Sequence, residues 1–295
     1  MRGAERGFLL LSSSLGDPNR KPLTTAQLRT LADRSWQLER KDPDAELCPE
    51  DLFSLGYSTD MAQRILSLLS HEQQLSYYLS KARREGCVPI TRVSDGYPLA
   101  VRKRLGLDSP GVLWAKGDVS LLERPKIALV GSRDIRSANR EFAKEAGRQA
   151  ALQGYVLVSG NARGADRIAQ DACLRAGGQV IVVAADRLLN YPERENVLVL
   201  SEEDYDMEFS AQRALSRNRL IHALGEKTLV AQCADAMGGT WDGTVKNLKN
   251  GWSPVFAFAD GSAGIARLAQ MGAQTVTIEQ LADISSLISQ QLTLF

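Results

Sequence analysis

The stretch KIALVGSRDIRSANREFAKEAGRQAALQGYVLVSGNARGADRIAQDACLRAGGQVIVVAA, residues 126–185, decides the fold. Three of its short runs are apolar and rich in β-branched residues: 127–130, 155–158 and 180–183. Such runs suit strands that are buried on both faces of a parallel sheet. Between the first two runs, apolar residues recur at every fourth position from Ala138 to Ala150, which predicts a helix with one narrow apolar face. Strand, crossover helix and parallel strand form a right-handed βαβ unit.

The first two of these strands each end in a glycine beside a serine, at Gly131-Ser132 and at Ser159-Gly160. At the carboxyl ends of parallel strands, free backbone N–H groups and helix N-termini favour anions. Arginines follow both glycines, at positions 133, 136 and 163. Glycine backbone with guanidinium groups beside it suits a phosphate. One such turn is equally compatible with a purely structural role, whereas two in register favour function.

Composition places few limits on the function. A chain of 295 residues can bury a sizeable core and favours two domains. Its 36 Lys plus Arg against 35 Asp plus Glu argue neither for nor against nucleic acid, so a basic surface would have to be a local patch. The four cysteines form no C-x-x-C pair, which disfavours zinc and disulfide frameworks. With no signal-peptide core and no membrane-length apolar run, we expect a cytoplasmic protein that has no membrane contact.

The pattern divides the chain into three parts: a helical N-terminal domain (1–87), an ordered connector with an edge strand (88–122) and a Rossmann-like domain (123–295). Thr24 or Thr25 could cap the first clear helix of the N-terminal part. Prolines at positions 18, 22, 43 and 49 break its first half into short pieces. The connector contains Pro and Gly but no Gly/Ser tract, which is typical of ordered structure.

Four further strands are predicted beyond residue 185, at 197–200, 228–231, 255–258 and 275–278, followed by a last helix from about Glu279. The expected fold is therefore α/β: an extended, mostly parallel Rossmann-like sheet with flanking helices, preceded by the small helical domain.

An arginine cluster lies between the first two of these later strands. Arg213, Arg217 and Arg219 fall within seven residues, with Asn218 between the last two, and an apolar helical face follows. Cations and an amide near a helix start suit phosphates and base edges. The alternative is an exposed basic turn that pairs with acidic residues at 202–204.

A third candidate anion site is the turn Gly238-Gly239-Thr240, which opens a predicted helix. With Asp242 two residues on, the same turn permits another function, a nucleotide sensor or a phosphoribohydrolase-like enzyme. No P-loop and no G-x-G-x-x-G follows the first strand. His222 has no nucleophile to pair with in the sequence, so we expect it to be packed or solvent-facing.

Seven short motifs occur in one order: GYP at 96–98, VLWAKGD at 112–118, IALVGSR at 127–133, VSGNARGAD at 158–166, GG at 177–178, YP at 191–192 and RNRLI at 217–221. Over roughly 90–290 this order resembles the DprA/Smf (DNA-processing protein A) family. The resemblance is to a divergent member without the C-terminal winged-helix domain of many relatives. It differs from the usual pattern at Asn161 and Ala165.

The resemblance implies a single-stranded DNA-binding protein that is not an enzyme, needs no cofactor or metal, forms a homodimer and delivers DNA to RecA in natural transformation. A paralogue in phage defence is an alternative. The residues expected to bind DNA or phosphate are Gly131, Ser132, Arg133, Arg136, Ser159, Gly160, Arg163, Gly164, Arg217, Asn218, Arg219, Gly239 and Thr240. Asp166 is expected to order the second glycine turn and not to touch DNA, which it would repel.

Overall fold

The computed structural model describes residues 1–38 and 46–288. Pro43, which we expected to interrupt a helix, lies outside these residues. The N-terminal helices are α1 (Gly3–Ser12), α2 (Thr25–Ser35), α3 (Pro49–Ser54), α4 (Thr59–Leu69) and α5 (Glu72–Arg84). They are followed by β1 (Cys87–Thr91), α6 (Leu99–Leu105), β2 (Val112–Gly117), β3 (Lys126–Val130), α7 (Ser137–Leu152), β4 (Val156–Ser159), α8 (Ala165–Arg175), β5 (Gln179–Val183) and β6 (Val197–Ser201). The remaining elements are α9 (Ala211–Ser216), α10 (Asn218–Leu224), β7 (Lys227–Val230), α11 (Gly238–Asn250), β8 (Val255–Phe258), α12 (Ala263–Gln270) and β9 (Gln274–Val276).

The strands form one sheet in the order β1-β2-β6-β5-β4-β3-β7-β8-β9. All pairings from β6 to β9 are parallel, whereas β2 is antiparallel to both β1 and β6. The predicted α/β fold class is confirmed, and all seven strands predicted from β3 onward are present with bounds within two residues of the prediction. The helix expected from Glu279 is only a short 3-10 helix, Glu279–Asp283, before the described residues end.

The inner strands of the parallel sheet bury both of their faces, whereas the edge strand β9 exposes Thr275. In β3, Ile127 and Leu129 join one apolar core, in which α7 and α8 pack, whereas Ala128 and Val130 join a second core with α6, α10 and α12. Because side chains alternate along a strand, a continuous apolar run is needed to fill both cores. The result is a sheet covered by helices on both sides.

The N-terminal helices have a small core of their own and also pack on the sheet. Thr24 caps α2, since its hydroxyl accepts from the backbone N–H of Gln27 at 3.3 Å, as one of the two predicted caps. Tyr78 of α5 lies in an aromatic cluster with Trp114 of β2 and Tyr205. The division into three domains stays a prediction. Within the described residues no helix is long and apolar enough to cross a bilayer.

The chain changes direction at β3. From β3 it proceeds through β4, β5 and β6 to one side, and then crosses to β7 on the other side of β3. In open parallel sheets, such a switch point leaves a crevice outside the carboxyl ends of the two strands, because the helices that follow them leave on opposite faces. The glycine turn after β3 and the segment after β7 border this crevice.

Candidate nucleic-acid interface

Three adjoining depressions at the carboxyl edge of the sheet share the side chain of Arg133. The first, which we call the inner cleft, has a volume of about 560 Å³ and lies at the switch point between the turn after β3 and the first turn of α11. The second, the arginine groove, has about 650 Å³ and lies beside the first turns of α7 and α8. The third, the aromatic cleft, has about 460 Å³ and contains Tyr191 and Phe209.

The turn after β3 is fixed by its neighbours. A Cβ on Gly131 would lie 2.5 Å from the Cβ of Ala165, so a larger residue would push α8 away. The backbone N–H of Ser132 donates to the carbonyl of Gln232 at 3.1 Å, and its hydroxyl donates to the same oxygen at 3.3 Å. Gly131 and Ser132 both line the inner cleft, but the hydroxyl of Ser132 already donates to the carbonyl of Gln232. Arg133 is therefore the residue of this turn that is best placed to bind a phosphate.

The turn after β4 is built around a buried carboxylate. Asp166 accepts the backbone N–H groups of Gly160 at 3.0 Å and Ala162 at 3.2 Å. Burial raises the pKa of Asp166, and the charge of Arg217 together with these two N–H groups opposes that rise. The prediction that Asp166 orders this turn is confirmed. Gly164 is needed for a different reason: its φ is +87°, and a Cβ there would lie 2.3 Å from the carbonyl oxygen of Arg133.

Ser159 does not reach any of the three depressions. It is fully buried, and its hydroxyl accepts the side-chain amide of Gln170 at 2.5 Å. Its place is beneath the second glycine turn, where it supports α8. Gly160, by contrast, lines the aromatic cleft next to Arg163.

Arg217 enters the site from the opposite side, at the start of α10. Its side chain is nearly buried, with a relative exposure of 7%, and its Nη2 donates to the carbonyl of Gly160 at 2.9 Å. Its Nε and Nη1 are buried and have no hydrogen-bond partner within the described part of the chain. Burial lowers the pKa of Arg217, an effect that Asp166 opposes, yet a guanidinium stays charged near neutral pH. Arg217 thus lines the inner and aromatic clefts as a buried cation with two unused donors.

The predicted arginine cluster is divided between different surroundings. Arg219 does not line the three depressions: its Nη2 pairs with Glu202 at 3.0 Å and its Nη1 donates to the carbonyl of Asp108 at 2.5 Å. Arg213 is buried and pairs with Glu203 at 2.9 Å. Residues two apart on a helix lie on nearly opposite sides, so Arg217 and Arg219 could not both face the cleft. The alternative of pairing with acids at 202–204 therefore holds for Arg213 and Arg219, but not for Arg217.

The outer arginines form ion pairs, of which only the Arg163 pair is fully open to solvent. Arg163 pairs with Asp134 at 2.5 Å, and the two side chains are 74% and 90% exposed. Arg136 pairs with Asp260, whose carboxylate also accepts from Asn139 at 2.6 Å. An exposed pair such as Arg163–Asp134 contributes only about 0–1 kcal/mol, so a phosphate can replace Asp134 at low cost, whereas the side chain of Asp260 is only 3% exposed.

The far wall of the inner cleft is the N-terminus of α11. Gly239 and Thr240 line it, and the side-chain amide of Asn218 donates to the carbonyl of Gly239 at 3.1 Å. Asn218 therefore ties α10 to α11. His222 also lines this cleft, and burial lowers its pKa to about 3, so of the two predicted alternatives, packed or solvent-facing, it is packed, and it is neutral.

Two arginines that the sequence analysis did not select also line the arginine groove: Arg140 and Arg167. They stand four residues after Arg136 and Arg163, one helical turn further on. This repeated spacing in both βα units could have revealed them. Of the aromatic residues near the edge, Phe209 is 56% exposed in the aromatic cleft, whereas Trp241 packs on the second core. In the described residues no group of three or more His, Cys, Asp or Glu side chains could hold a metal ion.

The fold and this edge define a class: a doubly wound α/β protein whose switch-point crevice is lined by glycine turns, arginines and a helix N-terminus. Comparison with known proteins makes the class specific. The model of the family described as DNA recombination-mediator protein A matches residues 89–289, and the chain belongs to this family. The predicted relationship to DprA/Smf is thereby confirmed.

Curated relatives support the assignment. The chain is 30% identical over 176 residues to the DNA processing protein DprA of Bacillus subtilis (strain 168), a match that covers 56% of this chain and 59% of that protein. It is 32% identical over 191 residues to the DNA processing protein DprA of Streptococcus pneumoniae, covering 59% of this chain and 66% of that protein. The chain thus matches less than two thirds of the length of these relatives.

Solved structures extend the likeness to the fold. The X-ray structure of DNA processing protein A from Streptococcus pneumoniae superposes with a TM-score of 0.74 at 26% identity, covering 95% of this chain and 97% of that chain. A structure of DNA processing protein A from Helicobacter pylori, whose subject is a single-stranded DNA binding mode, gives a TM-score of 0.56 at 27% identity. It covers 66% of this chain and 94% of that chain.

Proposed function

We propose that the protein binds the phosphate backbone of single-stranded DNA at the inner and aromatic clefts beside Arg133, and that it does so without catalysing a reaction. One observation carries the proposal. Arg133 borders all three depressions and has no side-chain partner among the described residues, and it shares two of these depressions with the buried Arg217, whose Nε and Nη1 are unpaired. Unpaired guanidinium groups next to a helix N-terminus favour the charge and geometry of a phosphate.

The shape of the site favours a single strand over a duplex. The depressions are concave, and the aromatic cleft places the exposed ring of Phe209 beside Arg133 and Arg163. An aromatic ring next to cations can stack on an unpaired base while the arginines hold its phosphates. In a duplex the bases are already stacked on each other, so this ring would have nothing to contact.

Relatives supply the setting of the proposed activity. Two curated relatives are named DNA processing proteins, and one solved relative is described by its single-stranded DNA binding mode. We therefore include in the proposal a role in DNA processing and recombination, with homodimer formation and delivery of the bound strand to RecA during natural transformation. A role in phage defence would use the same site. Light scattering would test the dimer, and co-sedimentation of RecA with DNA-bound protein would test the delivery step.

The binding step itself is tested by fluorescence anisotropy with a labelled single strand and with the same strand annealed to its complement, at low and at moderate salt. We expect tighter binding of the single strand and a loss of affinity with added salt, since each phosphate contact releases counterions. Equal affinity for both forms, or no response to salt, would contradict the proposal.

A nucleotide-cleaving enzyme receives less support. It would need a free carboxylate beside the phosphate, and the candidate Asp242 does not line the inner cleft. Asp134 and Asp166 do line it, but Asp134 is paired with Arg163 and the carboxylate of Asp166 is held by two backbone N–H groups. Incubation with AMP should leave the nucleotide intact. Release of adenine would reverse this conclusion.

A further inference from the structure

The first turns of α7 and α8 each carry an arginine, in α8 next to the acidic Asp166. Arg136 is the N-cap of α7, Arg140 stands in its first turns, and α7 has no acidic residue in the first turn. Arg167 is the third residue of α8. The positive end of the helix dipole makes these positions unfavourable for a cation. Positions that break a local rule in this way tend to be functional.

Like charges are also neighbours along each element. Arg136 and Arg140 are four residues apart, as are Arg163 and Arg167, and all four residues line one groove, so their like charges repel. Nearby acidic residues neutralise only part of this group of arginines. Asp260 pairs with Arg136 and Asp134 with Arg163, whereas the side chains of Arg140 and Arg167 have no partner in the described ranges 1–38 and 46–288.

Close helix packing holds these arginines on one groove. A Cβ on Gly147 of α7 would lie 2.0 Å from the carbonyl oxygen of Ala169 of α8, so the two helices touch through their backbones. All five arginines then line one groove of about 650 Å³, together with Asp134 and Asp171: Arg133, Arg136, Arg140, Arg163 and Arg167. Because the helices cannot move apart easily, the positive charge is built into the fold.

We propose that the arginine groove is a second phosphate site, which Arg140 and Arg167 form for a further stretch of the strand held at the inner cleft. Arg133 lines both the inner cleft and the arginine groove, so the DNA strand would pass Arg133 on its way from the cleft to the groove. The inference rests on the proposed function, since it names additional residues for the same ligand. An anion in the groove offsets both the dipole and the like-charge repulsion.

The test compares the double variant Arg140→Gln/Arg167→Gln with Arg84→Gln/Arg175→Gln, which removes the same charge from exposed positions outside the groove. Anisotropy is measured with oligothymidylates of roughly 4 and roughly 16 nucleotides, the range of site sizes of single-strand-binding folds. Wild type should prefer the longer strand. The groove variant should bind the longer strand about tenfold more weakly, with a slope of log Kobs against log salt smaller by about 1.4, because two phosphate contacts are lost.

The short strand should be affected much less, and the control variant should match wild type with both strands. The thermal midpoint of the groove variant should not fall, since it removes unfavourable charges, which separates lost binding from lost folding. An unchanged affinity and salt slope for the long strand, or equal loss in the control, would overturn the second site and leave single-strand binding intact. Wild type that binds neither strand would overturn both.

Discussion

Asp166 and Arg217 hold the same glycine from opposite sides. The carboxylate of Asp166 accepts the N–H of Gly160 at 3.0 Å, and Nη2 of Arg217 donates to the carbonyl of Gly160 at 2.9 Å. One peptide segment thus connects the second glycine turn to the start of α10. This connection places the buried guanidinium group of Arg217 at the edge of the sheet where β3, β4 and β7 have their carboxyl ends.

Gly160→Ala should displace Arg217, because a Cβ at this position would lie 1.6 Å from Nη1 of Arg217. We expect weaker single-strand binding and a loss of stability of about 1–3 kcal/mol, the usual cost of overpacking. Urea unfolding and anisotropy measure the two effects. Gly7→Ala is the control, since it lies in α1 with open space around it and should be neutral or stabilising. Wild-type binding by Gly160→Ala would show that the position of Arg217 does not matter.

Arg133→Ala should weaken single-strand binding about tenfold at low salt and reduce the salt slope by about 0.7, as one phosphate contact is lost. The loss should be the same for different base sequences, because a phosphate contact carries no base information. Anisotropy with oligothymidylate and with a mixed sequence checks both points. Arg175→Ala, exposed on α8 away from the three depressions, is the matched control. Equal behaviour of the two variants would remove Arg133 from the site.

Arg219→Ala should reduce stability and leave binding by the folded protein unchanged. It deprives Glu202, whose side chain is only 7% exposed, of its guanidinium partner, at a cost of about 3 kcal/mol. Adding Glu202→Gln should recover part of this loss, because no unpaired charge then remains. Urea unfolding of the single and double variants provides the measurement. A folded Arg219→Ala protein that fails to bind would return Arg219 to the interface.

Asp134→Asn should strengthen binding at low salt. The change releases Arg163 from its exposed ion pair and removes a negative charge beside the phosphate path, so we expect about a two- to fivefold gain in affinity. The gain should vanish at high salt, where exposed charges are screened. Glu123→Gln, exposed at the opposite edge of the sheet, makes the same charge change and should have no effect. A gain of equal size in both variants would indicate net charge alone.

His222 predicts a pH dependence of stability. Burial lowers its pKa from 6.5 to about 3, so the unfolded chain binds a proton more readily than the folded one between these values. Its contribution to stability is complete above about pH 6.5 and is lost as the pH falls, by about 1 kcal/mol per pH unit. Urea unfolding from pH 7.5 to 5 should show a steeper decline for wild type than for His222→Gln. Parallel declines would mean that His222 is not buried as a neutral ring.

The strands and the glycine turns were predictable because their signals are local. A short apolar run such as 127–130, with β-branched residues and a glycine directly after it, favours a strand with two buried faces, and the glycine marks the turn. The role of Asp166 was also predictable, since a carboxylate at a helix start accepts nearby N–H groups. The last helix was not, because propensity at the end of a chain is a weak guide.

Side-chain directions at the site could not be predicted from the motifs alone. The hydroxyl of Ser159 looks available in the sequence but lies beneath the turn on Gln170, eleven residues away. Arg219 belongs to the same short motif as Arg217, yet its partner Glu202 comes from the end of a different strand. Arg140 and Arg167 were missed because a motif marks the turn and not the helix face that follows it.

The amino-acid sequence by itself determined the βαβ order, the glycine-cornered strand ends and the family, because these depend on residue type and on spacing along the chain. The tertiary structure alone decided which arginines line the same depressions and could share a ligand. Helical rotation turns Arg217 and Arg219 to different sides, and acids distant in sequence, Asp134, Glu202 and Asp260, pair with some guanidinium groups and leave Arg133, Arg140 and Arg167 without a partner in the described residues.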